Sequence, residues 1–386
     1  MITHPRNPSS PPARSVASPG VHRVLRCAFA VAALALVARA APSAPQSPAQ
    51  SPAQSPAQSP APLQVCCTVP SLASIVMAVG GDQVAVTAFV KGTENPHYLE
   101  ARPSHVKALA AADLFVLQGM ELEIGWAPVL QQQCRNAAVQ CGRDGFLDAS
   151  EGITPLEVPT GPVDRSHGDV HPHGNPHYLT DPLHGLAVAR RVRDRLAQLR
   201  PDAAAAFAER CAAFERRLAT ALVGAALATE FPVATVEKLA LLFEAGQLDA
   251  FLAAQGRAGQ LGGWLAAMAP YHGAAALADH AQWSYFACRF GLRFVGYLEP
   301  KPGLAPSTAH LAALIAAAPA QQVRLVATAP GFDPRSARFV AEKLRVPLVL
   351  LAHEVGAVPG ADDYVAMIDH DVRTLAAALQ GAGGSS

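Results

Sequence analysis

Charge is scarce in this chain: Asp, Glu, Lys and Arg make up only 16% of its 386 residues, and aromatic residues 6%. Repulsion therefore does not hold it open, and with 51% apolar residues it has enough material for two domains with real cores. Basic runs that would neutralise a phosphate backbone are missing, which argues against nucleic acid as a partner. Neither H-E-x-x-H nor G-x-S-x-G occurs, so the familiar signatures of zinc proteases and serine hydrolases are absent. There is no G-x-x-x-x-G-K-[ST] loop, so a P-loop nucleotide site has no support. No C-x-x-C occurs either, and a thiolate metal site or redox pair has no support.

Acid is missing from residues 1–40, which hold five arginines (Arg6, Arg14, Arg23, Arg26, Arg39). Setting these aside leaves 25 of the 30 basic residues against all 30 acidic ones, a net of about −5 behind a formal charge of zero. Arg23 and Arg26 precede an apolar run over 27–37, and Ala38-Arg39-Ala40 follows it. A basic segment, a short apolar core and an A-x-A site predict a secretory signal over 1–40 and a periplasmic destination. The run is too short for a permanent membrane helix; an uncleaved anchor is the alternative. Cys27 opens the run rather than following it, which argues against lipoprotein cleavage. Residues 41–62 carry the repeat SPAQSPAQSPAQSPA and read as a flexible, solvated leader.

Six cysteines follow the signal. Cys134 and Cys141 are near enough in sequence for a local bridge, whereas Cys66 and Cys67 are adjacent in a strand and should face opposite ways. Buried thiols with at most one bridge are expected.

From residue 63 short β-rich runs alternate with helical segments. LQVCCTV, VAVTAFV and LFVLQG read as strands in the first half; GAAALAD, LRFVGYL, VRLVATA and VPLVLLA read as strands in the second. Such alternation implies parallel pairing through βαβ crossovers. Ser104 is expected to cap one helix, Asp181-Pro182 to open another, and residues 280–290 to form a third headed by His280. Residues 145–178 read as loop. The helical piece 202–229, roughly 40 Å long, suits a strut between lobes. The expected fold is α/β: two (βα) lobes with mainly parallel sheets, joined by a long rigid helix, with a cleft between the lobes. Their boundaries are 63–200 for the N-terminal lobe, 201–230 for the linking helix, 231–264 for a helical insertion, and 265–381 for the C-terminal lobe.

One pentapeptide occurs twice: N-P-H-Y-L stands at 95–99 and again at 175–179. Each copy puts a histidine behind a proline in a turn-like setting. Proline restricts the residue before it to extended conformations, which pre-sets where each imidazole points. His97 follows a predicted strand, and so does His280. In open α/β sheets, ligands bind outside the carboxyl ends of strands.

These segments resemble the zinc and manganese solute-binding proteins of ABC importers. The resemblance is carried by NPHYLEARPSHVKALAAADL from residue 95, NPHYLTDP from 175, HAQWSYFACRFGL from 280, EPKPGLAPSTAHL from 299 and DDYVAMI from 362. It implies one ion between the lobes, held by His97, His177, His280 and an acid before the last helix. Asp362 is the expected acid, with Asp363 as its alternative and Glu94 and Glu299 as outside candidates. Four protein ligands would close a tetrahedral shell and leave no place for an activated water. The remaining histidines, among them His105, His184, His310, His353 and His370, lack such motif support. His167, His171 and His173 lie beside His177 in a histidine-rich loop that either collects ions or is simply polar.

The implied function is the periplasmic binding component of a zinc importer. It would capture Zn²⁺ as transported substrate and deliver it, as a monomer, to an inner-membrane permease with a cytoplasmic ATPase; a metallochaperone is a further candidate partner. Three imidazoles and one carboxylate favour zinc, whereas Mn²⁺ or iron would suit a more oxygen-rich shell. An exported adhesin or metallochaperone on the same fold is another reading, and a zinc hydrolase a more distant one.

Overall fold

The computed structural model describes residues 61–161, 171–301 and 303–381. The expected signal, nearly all of the leader, and His167 lie outside them. In the first lobe β1 (Leu63–Cys67), β2 (Val84–Ala88), β3 (Leu114–Leu117) and β4 (Phe146–Asp148) form a sheet in the order 2-1-3-4. In the second, β5 (Ala275–Ala278), β6 (Arg293–Tyr297), β7 (Val323–Thr328) and β8 (Leu348–Leu350) repeat that order as 6-5-7-8. Every pairing is parallel. In each lobe the winding reverses direction at its first strand, and the loops at the carboxyl ends part there to leave a crevice.

The helices of the first half are α1 (Pro70–Gly80), α2 (Pro103–Ala110), α3 (Ala127–Cys134), α4 (Pro182–Leu199) and α5 (Ala204–Glu230). Then come α6 (Val233–Glu244), α7 (Leu248–Ala254), α8 (Gly263–Met268), α9 (Ser284–Phe290), α10 (Thr308–Ala317), α11 (Pro334–Leu344) and α12 (Tyr364–Gly381). Asp181 starts α4 as its sequence suggests: its carboxylate accepts the Leu183 amide at 2.9 Å, and Pro182 fills the first turn. Two starts differ from expectation. Helix α2 begins at Pro103, and the His105 ring, not Ser104, accepts the Arg102 amide at 3.4 Å. Helix α9 begins at Ser284, leaving His280 in the preceding turn, where the Asp279 carboxylate accepts its amide at 2.8 Å. Strand β4 falls in the stretch read as loop; three residues are too few to show a period. Helix α5 is long, but Gly224 interrupts it at φ 82°, where the Gly262–Gly263 backbone passes so close that a Cβ would sit 2.8 Å from it.

One apolar cluster runs from β1 and α1 through α4, α5 and α8 to β5, β7 and α12, so the two lobes share a core beneath the crevice. Leu72, Ile75, Leu186, Leu218 and Ile368 are all but fully buried in it, each worth about 1.5–3 kcal/mol. Cys67 belongs to this cluster and Cys66 to a separate one with Phe89, Phe115 and Trp126, on the other face of β1. All six described cysteines are free thiols, Cys134 and Cys141 among them, so the local bridge does not form.

Above the core the lobes are pinned by polar contacts. Arg289 of α9 donates from Nε and Nη2 to the two oxygens of Asp181, 3.0 Å each, and from Nη1 to the Ala240 carbonyl of α6 at 2.9 Å. The Tyr285 hydroxyl donates to the Asn175 carbonyl at 2.9 Å, and that of Tyr364 to the Leu179 carbonyl at 2.7 Å. Helix α6 thus has a mechanical part: it backs the helix that follows His280.

Removing one partner of a buried pair strands the other's charge. Arg289→Ala is therefore predicted to cost about 3–5 kcal/mol in urea unfolding; a loss under 1 kcal/mol would contradict the pairing. A second prediction concerns Glu123, which is buried and accepts the Gln118 and Gly119 amides at 2.7 and 3.2 Å. Burial pushes its pKa from 4.5 up to about 7, with those amides pulling the other way. The folded state therefore keeps a proton that the unfolded chain has released. Stability is complete below the unfolded pKa and declines between pH 4.5 and about 7, by on the order of 3 kcal/mol. Glu123→Gln should flatten that decline when unfolding is followed from pH 5 to 8; an unaltered slope would refute the assignment.

Candidate metal centre

Both copies of the repeated pentapeptide fold the same way. The Asn95 side chain accepts the His97 amide at 3.0 Å, and the Asn175 side chain accepts the His177 amide at 2.9 Å. Each is an asparagine turn closed over the intervening proline. The turn is the reason for the repeat: it sets the histidine backbone at the end of a short, stiff loop. Further bonds fix the loops in place. Trp126 Nε1 donates to the Pro96 carbonyl at 3.0 Å, and Gln118 Nε2 to the Pro176 carbonyl at 2.9 Å. The Asn175 amide group crosses to the second lobe and donates to the Ala281 carbonyl at 2.6 Å.

These loops bring three imidazoles together. The donor atoms of His97, His177 and His280 lie within 4.8 Å of one another, and among the described residues no other such group of three occurs. His97 and His177 approach Nε2 to Nε2 at 3.3 Å. Ring centroids are 5.3, 5.6 and 5.4 Å apart for the three pairs, with the His280 ring steeply inclined to both others. Two nitrogens each bonded to Zn²⁺ at tetrahedral angles would stand about 3.3–3.4 Å apart. The observed separation matches that spacing. Burial, and then the neighbouring imidazoles, hold the His97 and His177 pKa values well below the usual 6.5. The rings are therefore neutral at physiological pH, with lone pairs available to a cation.

His280 is fixed on several sides. Its Nδ1 faces Glu299 Oε2 at 2.8 Å, and its ring stacks on Phe332 with centroids 5.5 Å apart. Glu299 thus orients a histidine and does not join the donor group. A cavity of about 440 Å³ opens beside these residues, lined in part by Asn95, Tyr98, Glu299 and Phe332.

The expected acid is not among the three rings. Asp362 is exposed. Asp363 accepts the Ala366 amide at 2.9 Å at the head of α12 and pairs with Arg217 of α5 at 2.8 Å. A helix cap and an ion pair on the strut hold it away, so neither aspartate completes the set. Glu94 accepts the Lys91 amide at 3.0 Å and also stays outside the group. Of the histidine-rich loop, His171 stacks on His97 with centroids 5.0 Å apart, while His173 is exposed and 3.5 Å from Glu121.

Sequence reasoning passed over His353. It follows β8, at a strand's carboxyl end like His280, and is buried. Its Nε2 faces the Glu94 carbonyl at 3.4 Å, while its buried Nδ1 has no hydrogen-bond partner. Burial lowers its pKa to about 4. The loop around it is held from both lobes: Asp371 accepts the Ala352 amide at 2.7 Å, and Glu354 accepts the Ser71 amide of α1 at 2.9 Å.

Two parallel-sheet lobes with a histidine cluster where their strand ends meet form the architecture of a bilobal binding protein. The profile of the family described as zinc-uptake complex component A periplasmic, ZnuA, matches residues 65–225 and 254–378, and the chain belongs to this family. The unmatched stretch between holds α6 and most of α7. The manganese ABC transporter substrate-binding lipoprotein scaA of Streptococcus gordonii is 28% identical over 156 residues, 40% of this chain and 48% of that protein. The chain thus spans about half the length of the curated relatives it matches. Among solved structures, a crystal structure of ZnuA superposes with a TM-score of 0.59 at 21% identity, covering 82% of this chain and 99% of that one. The laminin-binding adhesin Lmb of Streptococcus agalactiae superposes equally, at 0.59 and 19% identity, over 82% and 99%. At these identities the superpositions establish the fold.

If the asparagine turns aim the rings, Asn95→Ala and Asn175→Ala should each weaken Zn²⁺ binding about 10–100-fold, and Asp362→Ala should leave it unchanged. Competition titration against a fluorescent chelator measures all three; a loss in Asp362→Ala equal to theirs would reinstate the carboxylate.

Proposed function

We propose that this chain is the periplasmic binding component of an ABC importer and captures Zn²⁺ for delivery to a membrane permease. The observation that carries the reading is the 3.3 Å approach of His97 and His177 with His280 beside them. Neutral imidazoles suit Zn²⁺, and a nitrogen-rich shell disfavours Mn²⁺, which prefers oxygen donors. In this reading His353 supplies the fourth nitrogen. A carbonyl only accepts, so the His353 proton sits on Nε2 and its lone pair on Nδ1; that ring closes onto the ion from the second lobe. The family description, zinc-uptake complex component, supports an import role, with a permease and an ATPase as partners.

Three clustered imidazoles alone would resemble a hydrolytic zinc site; with His353 as fourth ligand the shell closes and leaves no place for an activated water. Among the described residues the cluster also has no carboxylate in its donor group to act as general base. Glu299, the acid beside it, is committed to His280 and to the Gly303 amide. The reading is therefore binding, not hydrolysis. Manganese is a second reading, because scaA is named as a manganese protein. The donor set distinguishes the two: among the described residues no carboxylate joins the three histidines.

The purified mature chain should retain one Zn²⁺ per molecule and prefer it to Mn²⁺ in competition titrations. His97→Ala and His177→Ala should lose that ion. Equal or tighter Mn²⁺ binding would favour the manganese reading, and no stoichiometric metal at all would end both.

A further inference from the structure

We propose that Glu299 is a positioning residue for the metal site: its carboxylate fixes the proton of His280 on Nδ1 and so keeps the Nε2 lone pair turned toward the ion. The inference rests on the metal-binding reading above and assigns Glu299 a part in it.

The geometry is specific. Oε2 of Glu299 lies 2.8 Å from His280 Nδ1, and both side chains are shielded, at 15% and 5% exposure. A carboxylate only accepts, so Nδ1 must be the donor, which leaves Nε2 unprotonated in the neutral ring. The same oxygen accepts the Gly303 amide at 2.9 Å, so the carboxylate is itself held from a second side. Gly303 has φ 78°, a conformation that side-chain-bearing residues rarely adopt, so the amide's return onto Glu299 depends on glycine there. Stacking on Phe332 sets the plane of the His280 ring but does not distinguish its two nitrogens. That distinction falls to Glu299. Among the described residues, Glu299 is the carboxylate recorded against a ring nitrogen of the cluster, so its charge reaches the site through His280. An ion held by neutral nitrogens gains from that charge without any oxygen entering its shell.

Glu299→Gln tests this, because the amide nearly preserves shape while losing the charge and the obligation to accept. Two measurements are made on the full mature chain. Zn²⁺ affinity is read by chelator competition, and the His280 tautomer by ¹⁵N NMR of the imidazole in the metal-free protein. The expected result is affinity about 10–100-fold weaker, a His280 ring shifted from a single Nδ1–H tautomer to a mixture, and an unchanged thermal midpoint without metal. Unchanged affinity, or an unchanged tautomer with a lowered midpoint, would overturn the proposal. His97→Ala serves as the control. If it binds Zn²⁺ like the natural chain, the site itself is wrong, whatever Glu299 does.

Discussion

Everything at this site depends on two neutral imidazole nitrogens standing 3.3 Å apart in a buried crevice. Protonating both rings there would put like charges together in a medium that screens them poorly. Burial is the larger cause of their lowered pKa values, and repulsion from the neighbouring imidazoles adds to it. Keeping such groups together requires a stiff frame. The two asparagine–proline turns supply it locally, and bonds from Trp126 and Gln118 tie the turns to the first lobe.

His280 belongs to the other lobe, so the frame must also fix one sheet against the other. A shared apolar core beneath the crevice does part of this. The Asp181–Arg289 pair does the rest at close range, joining the helix that starts just after His177 to the one that starts just after His280. The Asn175 side chain adds a direct link, because one asparagine both closes the His177 turn and reaches the Ala281 carbonyl. Site geometry and interlobe geometry are therefore one constraint. A substitution in the joint should be felt at the metal, and relative lobe movement is limited by the same bonds.

Much of this was legible in the residues. Alternating β-rich runs gave seven of the eight strands, because parallel strands buried on both faces read as continuous apolar runs. The three histidines were legible from their motifs and from their places at strand ends. The place of the expected acid was not. Asp362 and Asp363 were expected as ligands because the family resemblance implies an acid before the last helix, yet an acid just before a helix is first of all a cap. That rule was applied correctly at Asp181, and Asp333 and Asp363 obey it too. The strand-end rule that flagged His280 would equally have flagged His353 after β8. The Asp181–Arg289 pair had no local signal, since its members lie 108 residues apart. Glu299 was noticed as an acid near the motif, but only the fold shows that it faces a histidine and not the ion's position.

The most direct measurement is anomalous diffraction at the zinc edge from crystals of the mature protein grown with Zn²⁺. The account predicts a single strong peak between His97, His177 and His280, with each Nε2 about 2.0–2.1 Å from it and no aspartate in its shell. A peak elsewhere, or one bound by Asp362 or Asp363 with these rings turned away, would contradict it.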